Sequence, residues 1–159
     1  MPLEVRLADS RDFPKIWQLL EAKARFDGGR ELLTASRREV EDALFGGNPK
    51  VQALVAIADG VPVGLATYFA SFSTFLAKPC LWLDDLFVDE AYRSCGIGRM
   101  LMTKLAEQAR IGGMARIDWT LASGNTKAAS FYESVGATIR TSTLSARLNA
   151  DAIHRLVDN

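Results

Sequence analysis

Histidine is nearly missing from this 159-residue chain. His154 stands alone, which excludes a multi-histidine zinc site. Cysteine is almost as scarce, and Cys80 and Cys95 make neither a disulfide framework nor a Cys-x-x-Cys metal motif. Neither sign of charge is in excess: nineteen basic residues balance nineteen acidic ones, so no overall field draws the chain to nucleic acid or to a membrane. No apolar run approaches the roughly 20 residues of a membrane-spanning helix. The opening "MPLEVRLADS" carries Glu4 and lacks the basic-then-apolar layout of a signal peptide. The expectation is a metal-free cytoplasmic protein, a single domain over residues 1–159 with a sizeable core.

What is present reads as alternating strands and helices. "LEVRLA" (3–8) alternates apolar and polar residues like a strand with one buried face, and Asp9 or Ser10 can cap the next helix. That helix, over 11–25, lines up Phe13, Ile16, Trp17, Leu20 and Ala24 before "DGG" breaks it. Ser36 and Glu39 form a capping box for a second helix. The runs "VQALVAIA" (51–58) and "VPVGLATYFASF" (61–72) flank Asp59–Gly60, a hairpin signal. "CLWLDDLFV" (80–88) is a third strand, and helical spacing runs from Ile97 to Ile111, with Met100, Leu101, Leu105 and Ala109 on one side. "ARIDWTLA" (115–122) reads as a strand, "NTKAASFYESVG" (125–136) as a helix capped by Asn125, and "ATIRTSTLSARL" (137–148) as a last strand before a short terminal helix. This order, β-α-α-β-β-β-α-β-α-β, describes a single mixed α/β sheet.

Chemistry concentrates in "DEAYRSCGIGRML" (89–101). Gly96 and Gly98 fall between a strand and a helix start, where unpaired N–H groups and the helix dipole favour an anion. Positions without side chains let a pyrophosphate rest on those groups, and Arg93 can add a charge-assisted contact. A dinucleotide-binding motif fits less well, although Asp118 lies twenty residues beyond Gly98. The third glycine of that fingerprint is missing, and three strands precede the loop instead of one opening β-α-β unit.

Arg93, Gly96 and Gly98 in the pattern Arg-x-x-Gly-x-Gly resemble the pyrophosphate-binding motif of the GNAT N-acetyltransferase superfamily. "LWLDDLFVDEAYRSCGIG" followed by "NTKAASFYESVGA" is similar to its diamine (spermidine/spermine) acetyltransferase branch. The resemblance implies a GNAT fold: a mixed, mostly antiparallel twisted sheet of six to seven strands, flanked by helices and splayed at the cofactor site. It implies acetyl-CoA as co-substrate and no metal. Leu86, Phe87 and Val88 would pair through their backbone with the pantetheine arm. Arg93, Ser94, Cys95, Gly96, Ile97, Gly98 and Arg99 would hold the pyrophosphate. Asn125 would hydrogen-bond the cofactor, and Tyr132 would stand near the sulfur. Asn125 and Tyr132 are seven residues apart, two helical turns, and so share a helix face.

Transfer to an amine needs a proton acceptor, because only about one part in a thousand of an ordinary primary amine is neutral at pH 7. On "LWLDDLFV", alternation places Trp82, Asp84, Leu86 and Val88 on one face and Leu83, Asp85 and Phe87 on the other. Two adjacent acids in an apolar strand are hard to bury without purpose. The resemblance matches Asp84 to a residue that accepts the proton, directly or through water. It leaves Asp85 as an attractor of the cationic substrate or as the base itself; a structural reading makes one acid a cap or salt bridge at a strand end. Tyr132, with an ordinary phenol pKa near 10, can protonate the departing thiolate; on "SFYESVG" alone it would read as a core tyrosine. Cys95 lies in the phosphate cradle with no histidine near it in sequence, which argues against an acyl-carrying nucleophile.

Around the acceptor the resemblance thins. Arg25 stands where the diamine enzymes carry an acid, with Asp27 and Glu31 as possible compensation, and Ala146 stands where they carry a tryptophan. Lost negative charge disfavours a long polyamine relative to a diamine or basic amino acid. The expected function is acetyl transfer to a small primary amine by direct attack in a ternary complex. The alternatives are a protein or peptide amine as acceptor, or a non-catalytic acyl-CoA sensor. The edge offered by 137–148 and the habit of the family imply a homodimer.

Overall fold

A computed structural model describes residues 1–158, which divide into a unit spanning Met1–Thr120 and a second beginning at Leu121. The first unit holds a five-stranded sheet in the order β1-β2-β3-β4-β5: β1 (Leu3–Leu7), β2 (Gln52–Ala58), β3 (Val61–Ser73), β4 (Lys78–Val88) and β5 (Ile117–Asp118). The first four pair antiparallel and β5 lies parallel to β4. Among the described residues the sheet has five strands, slightly fewer than the six to seven expected; the mixed, mostly antiparallel character stands.

Local signals account for the connections. Asp59 and Gly60 take the left-handed conformation (φ 48° and 80°), the geometry that a two-residue hairpin with matching strand twist requires. Ser36 Oγ accepts from the Glu39 N–H and the Glu39 carboxylate accepts from the Ser36 N–H (3.2 and 2.7 Å), opening α2 (Arg37–Phe45). Arg6 of β1 grips the buried Asp12 carboxylate with both guanidinium nitrogens (2.7 and 2.9 Å), fixing where α1 (Phe13–Asp27) leaves the sheet.

Nearly all of β2 is buried, because both its faces are covered. On one face Val55, Leu65 and Phe87 pack with Phe13, Ile16 and Trp17 of α1 and Leu44 of α2. The other receives α3 (Ile97–Ile111), whose Ile97, Leu101, Met102, Leu105 and Ala109 are buried. Met102 thus joins the buried stripe where the sequence pointed to Met100. A Cβ at Gly64 would lie 3.2 Å from Ala56, Ile97 and Leu101 side chains. This glycine therefore lets the start of α3 approach β3 closely.

Two further corrections concern strands. The segment 115–122 forms a strand only over Ile117–Asp118, paired to Leu81 and Trp82. β4 bulges immediately beyond that contact, and a bulge bends its strand away from a partner. In the second unit, 137–148 is not a strand at all. Backbone alternation makes a strand only where another strand supplies hydrogen bonds, and none does so here among the described residues. Before this segment lies α4 (Thr126–Ser134), and after it α5 (Ala150–Asp158), whose first turn is capped by Asn149 Oδ1 accepting from the Ala152 N–H (2.9 Å). No helix among the described residues is long and apolar enough to cross a membrane.

Candidate active site

The two acids of β4 meet in one cavity because the strand is irregular. Thr67 pairs with Asp85, but the next residue, Tyr68, pairs with Leu83, so Asp84 is the extra residue of a β-bulge. Strict alternation would send the two side chains to opposite faces. Instead both line a cavity of about 640 Å³ beside α1 and α2, shared with Lys23, Asp27, Thr67 and Phe69. The opposed faces expected from the sequence are thereby corrected, and the bulge is the reason.

The two carboxylates are not equivalent. Asp85 Oδ2 accepts from the buried Thr67 hydroxyl (2.5 Å), and its Oδ1 lies 3.5 Å from Lys23 Nζ. Lys23 also pairs with Asp27 one turn further along α1. Burial alone would lower the Lys23 ammonium, but the Asp27 hydrogen bond and the Asp85 charge outweigh it and hold the group above its ordinary value. Asp84 makes no ion pair among the described residues. It reaches solvent at the cavity, yet partial desolvation, then repulsion from Asp85, raises its carboxyl above the usual range; the Trp82 indole and the Lys23 charge act the other way. A carboxyl so raised is a better proton acceptor than an ordinary one.

The glycine loop leads from β4 into α3. Ser94 and Gly96 are left-handed (φ 63° and 79°), and the first intrahelical bond runs from the Met100 N–H to the Gly96 carbonyl (3.1 Å). The Ile97 and Gly98 amides precede that bond and point out of the helix start, as first-turn amides must. A Cβ on Gly96 would meet no protein atom within 4 Å, so the glycine answers to its backbone conformation and to space outside the protein. That arrangement fits a pyrophosphate. Cys95 is exposed in the same loop, and Cys80 is buried; neither forms a disulfide.

Arg93 behaves differently from a side chain extended toward a phosphate. Its Nε donates to the Val88 carbonyl (3.0 Å), and its guanidinium lies over the rings of Phe26 and Phe87, 4.7 and 5.3 Å from their centroids. Phe87 is itself buried, which leaves only its backbone for a ligand. On the side of β4 away from β3, no strand pairs with Leu83–Val88 among the described residues. Leu86 and Val88 therefore lie on an edge open to a further extended chain.

In the second unit Asn125 caps α4, its Oδ1 accepting from the Ala128 N–H (3.1 Å). Tyr132 stacks at a tilt on Phe131 (centroids 5.2 Å apart), and burial pushes its phenol upward. Arg99 sits in the first turn of α3. Sequence reasoning missed Lys23 and Thr67. The spacing of Lys23 and Asp27 on one helix face was a usable signal, but the approach of Asp85 depends on tertiary packing.

Residues 13–137 match the acetyltransferase (GNAT) family, and the chain belongs to that family, whose members use acetyl-CoA. It is 35% identical over 98 residues to an L-ornithine N5-acetyltransferase of Arabidopsis thaliana, covering 62% of this chain and 43% of that one. It is 31% identical over 88 residues to a thialysine N-epsilon-acetyltransferase of Caenorhabditis elegans, covering 55% and 54%. The chain thus matches about half the length of these relatives. Among solved structures, an integron cassette protein from the mobile metagenome of V. cholerae superposes with a TM-score of 0.81 at 27% identity, covering 100% of this chain and 99% of that one.

Proposed function

We propose that this chain transfers acetyl from acetyl-CoA to a primary amine of a small molecule, a diamine, polyamine or basic amino acid, by direct attack in a ternary complex. The observation that carries the reading is the bulge, which turns two neighbouring acids into one acidic cavity and leaves them with different duties. Asp85, engaged by Thr67 and Lys23, sets the charge of the cavity. Asp84, without an ion-pair partner and raised, takes the proton from the acceptor amine, directly or through water. The amides from Ser94 to Arg99 hold the pyrophosphate, with Arg93 bracing the loop from beneath. Leu86, Phe87 and Val88 offer backbone groups to the pantetheine arm. The family resemblance assigns Asn125 a hydrogen bond to the cofactor and Tyr132 the proton for the departing thiolate. When bound, acetyl-CoA supplies the activated acetyl group. Names of the relatives support an amino-acid or polyamine acceptor, and a cavity of about 640 Å³ suits a small molecule.

Thiol release from acetyl-CoA, measured against diamines, polyamines, basic amino acids and short peptides, tests this. Turnover with one class of small amine is the expected result. Turnover confined to peptides, or none beside tight acetyl-CoA binding, would replace it with a protein acceptor or an acyl-CoA sensor.

We also propose a cytoplasmic homodimer. Residues 137–149 form neither helix nor strand, and Leu144 and Leu148 are exposed, which leaves backbone and apolar side chains for pairing with a second copy. Sedimentation at micromolar concentration is expected to give twice the chain mass; a monomer would reject this.

A further inference from the structure

The last turn of α1 serves two places at once. Lys23 and Asp27 line the acidic cavity. Phe26, about 100° around the helix from Asp27, turns instead to Phe87 and Arg93, its ring 6.3 Å from the first and 4.7 Å from the guanidinium of the second. The ring is 62% exposed and stands outside the cluster packed beneath α1. Burial therefore explains little of its presence, and its distinctive contact is with a cation.

Arg93 holds its charge in an uncommon way. Its Nε donates to the Val88 carbonyl (3.0 Å) and its guanidinium lies over Phe26 and Phe87, yet no carboxylate pairs with it among the described residues. A carboxylate would hold the guanidinium as firmly but would cancel its field. Ring faces hold a cation through their quadrupoles and leave its charge in place. The glycine loop begins at the very next residue, Ser94.

We propose that Phe26 is a positioning residue for the cofactor: acting through Arg93, it fixes the entrance of the glycine loop and keeps an uncancelled positive charge beside the pyrophosphate. The inference rests on that loop receiving the pyrophosphate, as proposed above. Phe87 offers the second ring face, but it is buried and serves the core as well. Phe26 can be changed with little loss of packing. Without it the guanidinium gains rotamers, and ordering the loop falls to the ligand. Lys23 and Asp27 keep their places at the cavity, so the effect is confined to the cofactor.

Calorimetric titration of the whole chain with CoA tests this. Phe26→Leu keeps apolar bulk, removes the ring face and is expected to weaken CoA binding about fivefold. Phe26→Trp, with the stronger quadrupole, is expected to bind at least as tightly as wild type. In turnover, Phe26→Leu should raise KM for acetyl-CoA by the same factor and leave kcat within about twofold. In an Arg93→Met background, Phe26→Leu should change affinity by less than about twofold, because the ring then has no cation to hold. Equal affinity in wild type and Phe26→Leu, or the same loss in both backgrounds, would overturn the proposal. Tighter binding by Phe26→Leu would overturn it too, by showing that the ring keeps Arg93 away from the phosphates. A further readout needs no ligand. The nitrogen-15 order parameter of the Arg93 Nε–H is expected to fall in Phe26→Leu and to hold in Phe26→Trp, and equal values in all three proteins would end the part of Phe26 in holding Arg93. Should the wild type bind no CoA, the proposed cofactor site fails, while the order parameter still decides whether Phe26 fixes Arg93.

Discussion

Asp84→Asn is expected to lower turnover about 100-fold, the scale of a lost general base, while making the fold more heat-resistant at pH 7. The two effects have one origin. Desolvation and the neighbouring Asp85 charge raise the Asp84 carboxyl above its ordinary value, so its ionised form is held at a disadvantage in the folded chain. A carboxyl with a raised folded pKa stabilises most when protonated, below its unfolded pKa. That contribution is lost as pH rises through the folded value. At pH 7 the wild type has lost it, whereas an amide carries no charge to penalise. Catalysis runs with the opposite sign, since the base works only when ionised. Wild-type kcat/KM should fall as pH drops through the raised Asp84 pKa, and the variant should lack that limb. Rate profiles across pH and thermal melts of both proteins check this. An unchanged limb would move the role of base to Asp85 or to solvent, and a lower melting temperature would make Asp84 a structural residue.

Tyr132→Phe should reduce turnover by about 100-fold and leave acetyl-CoA affinity within about twofold. A free phenol titrates near 10, and burial moves Tyr132 further up. It therefore carries its proton throughout the neutral range, as an acid for a thiolate must. Phenylalanine retains the ring that packs on Phe131, so the substitution removes the hydroxyl and its proton. Single-turnover kinetics beside equilibrium binding separate these effects. Comparable turnover in the two proteins would end the role of the hydroxyl, and parallel losses in affinity and rate would assign it to binding.

What could be read from the sequence was whatever a few adjacent residues decide. Ser36 with Glu39, and Asp59 with Gly60, specify their cap and turn through contacts within four positions, and both formed as expected. Gly96, read as lying between a strand and a helix start, does enter α3 there, in the left-handed conformation. Asp84 and Asp85 show the limit. Their composition flagged the site, but the face each side chain takes depends on a register shift against Thr67 and Tyr68, eighteen or so residues away, which alternation cannot express. Residues 137–148 show a second limit. Alternation there describes a capacity to pair, and the partner is not encoded in the same stretch. Arg93 is a third case, because Phe26 and Phe87 draw its guanidinium from two separate elements.

That placement of Arg93 bears on how a ligand is received. The guanidinium ties the loop after β4 to Phe26 at the end of α1 and to the last carbonyl of β4, so the loop is anchored at Arg93 by contacts within the protein. Fixing backbone conformation opposes order by roughly 1–2 kcal/mol per residue. Here that loss of freedom occurs once, as the protein folds, and is not repeated at each encounter. An anion held by this loop, as proposed, would meet a backbone already anchored at Arg93, and less of its contact energy would go into organising the receptor.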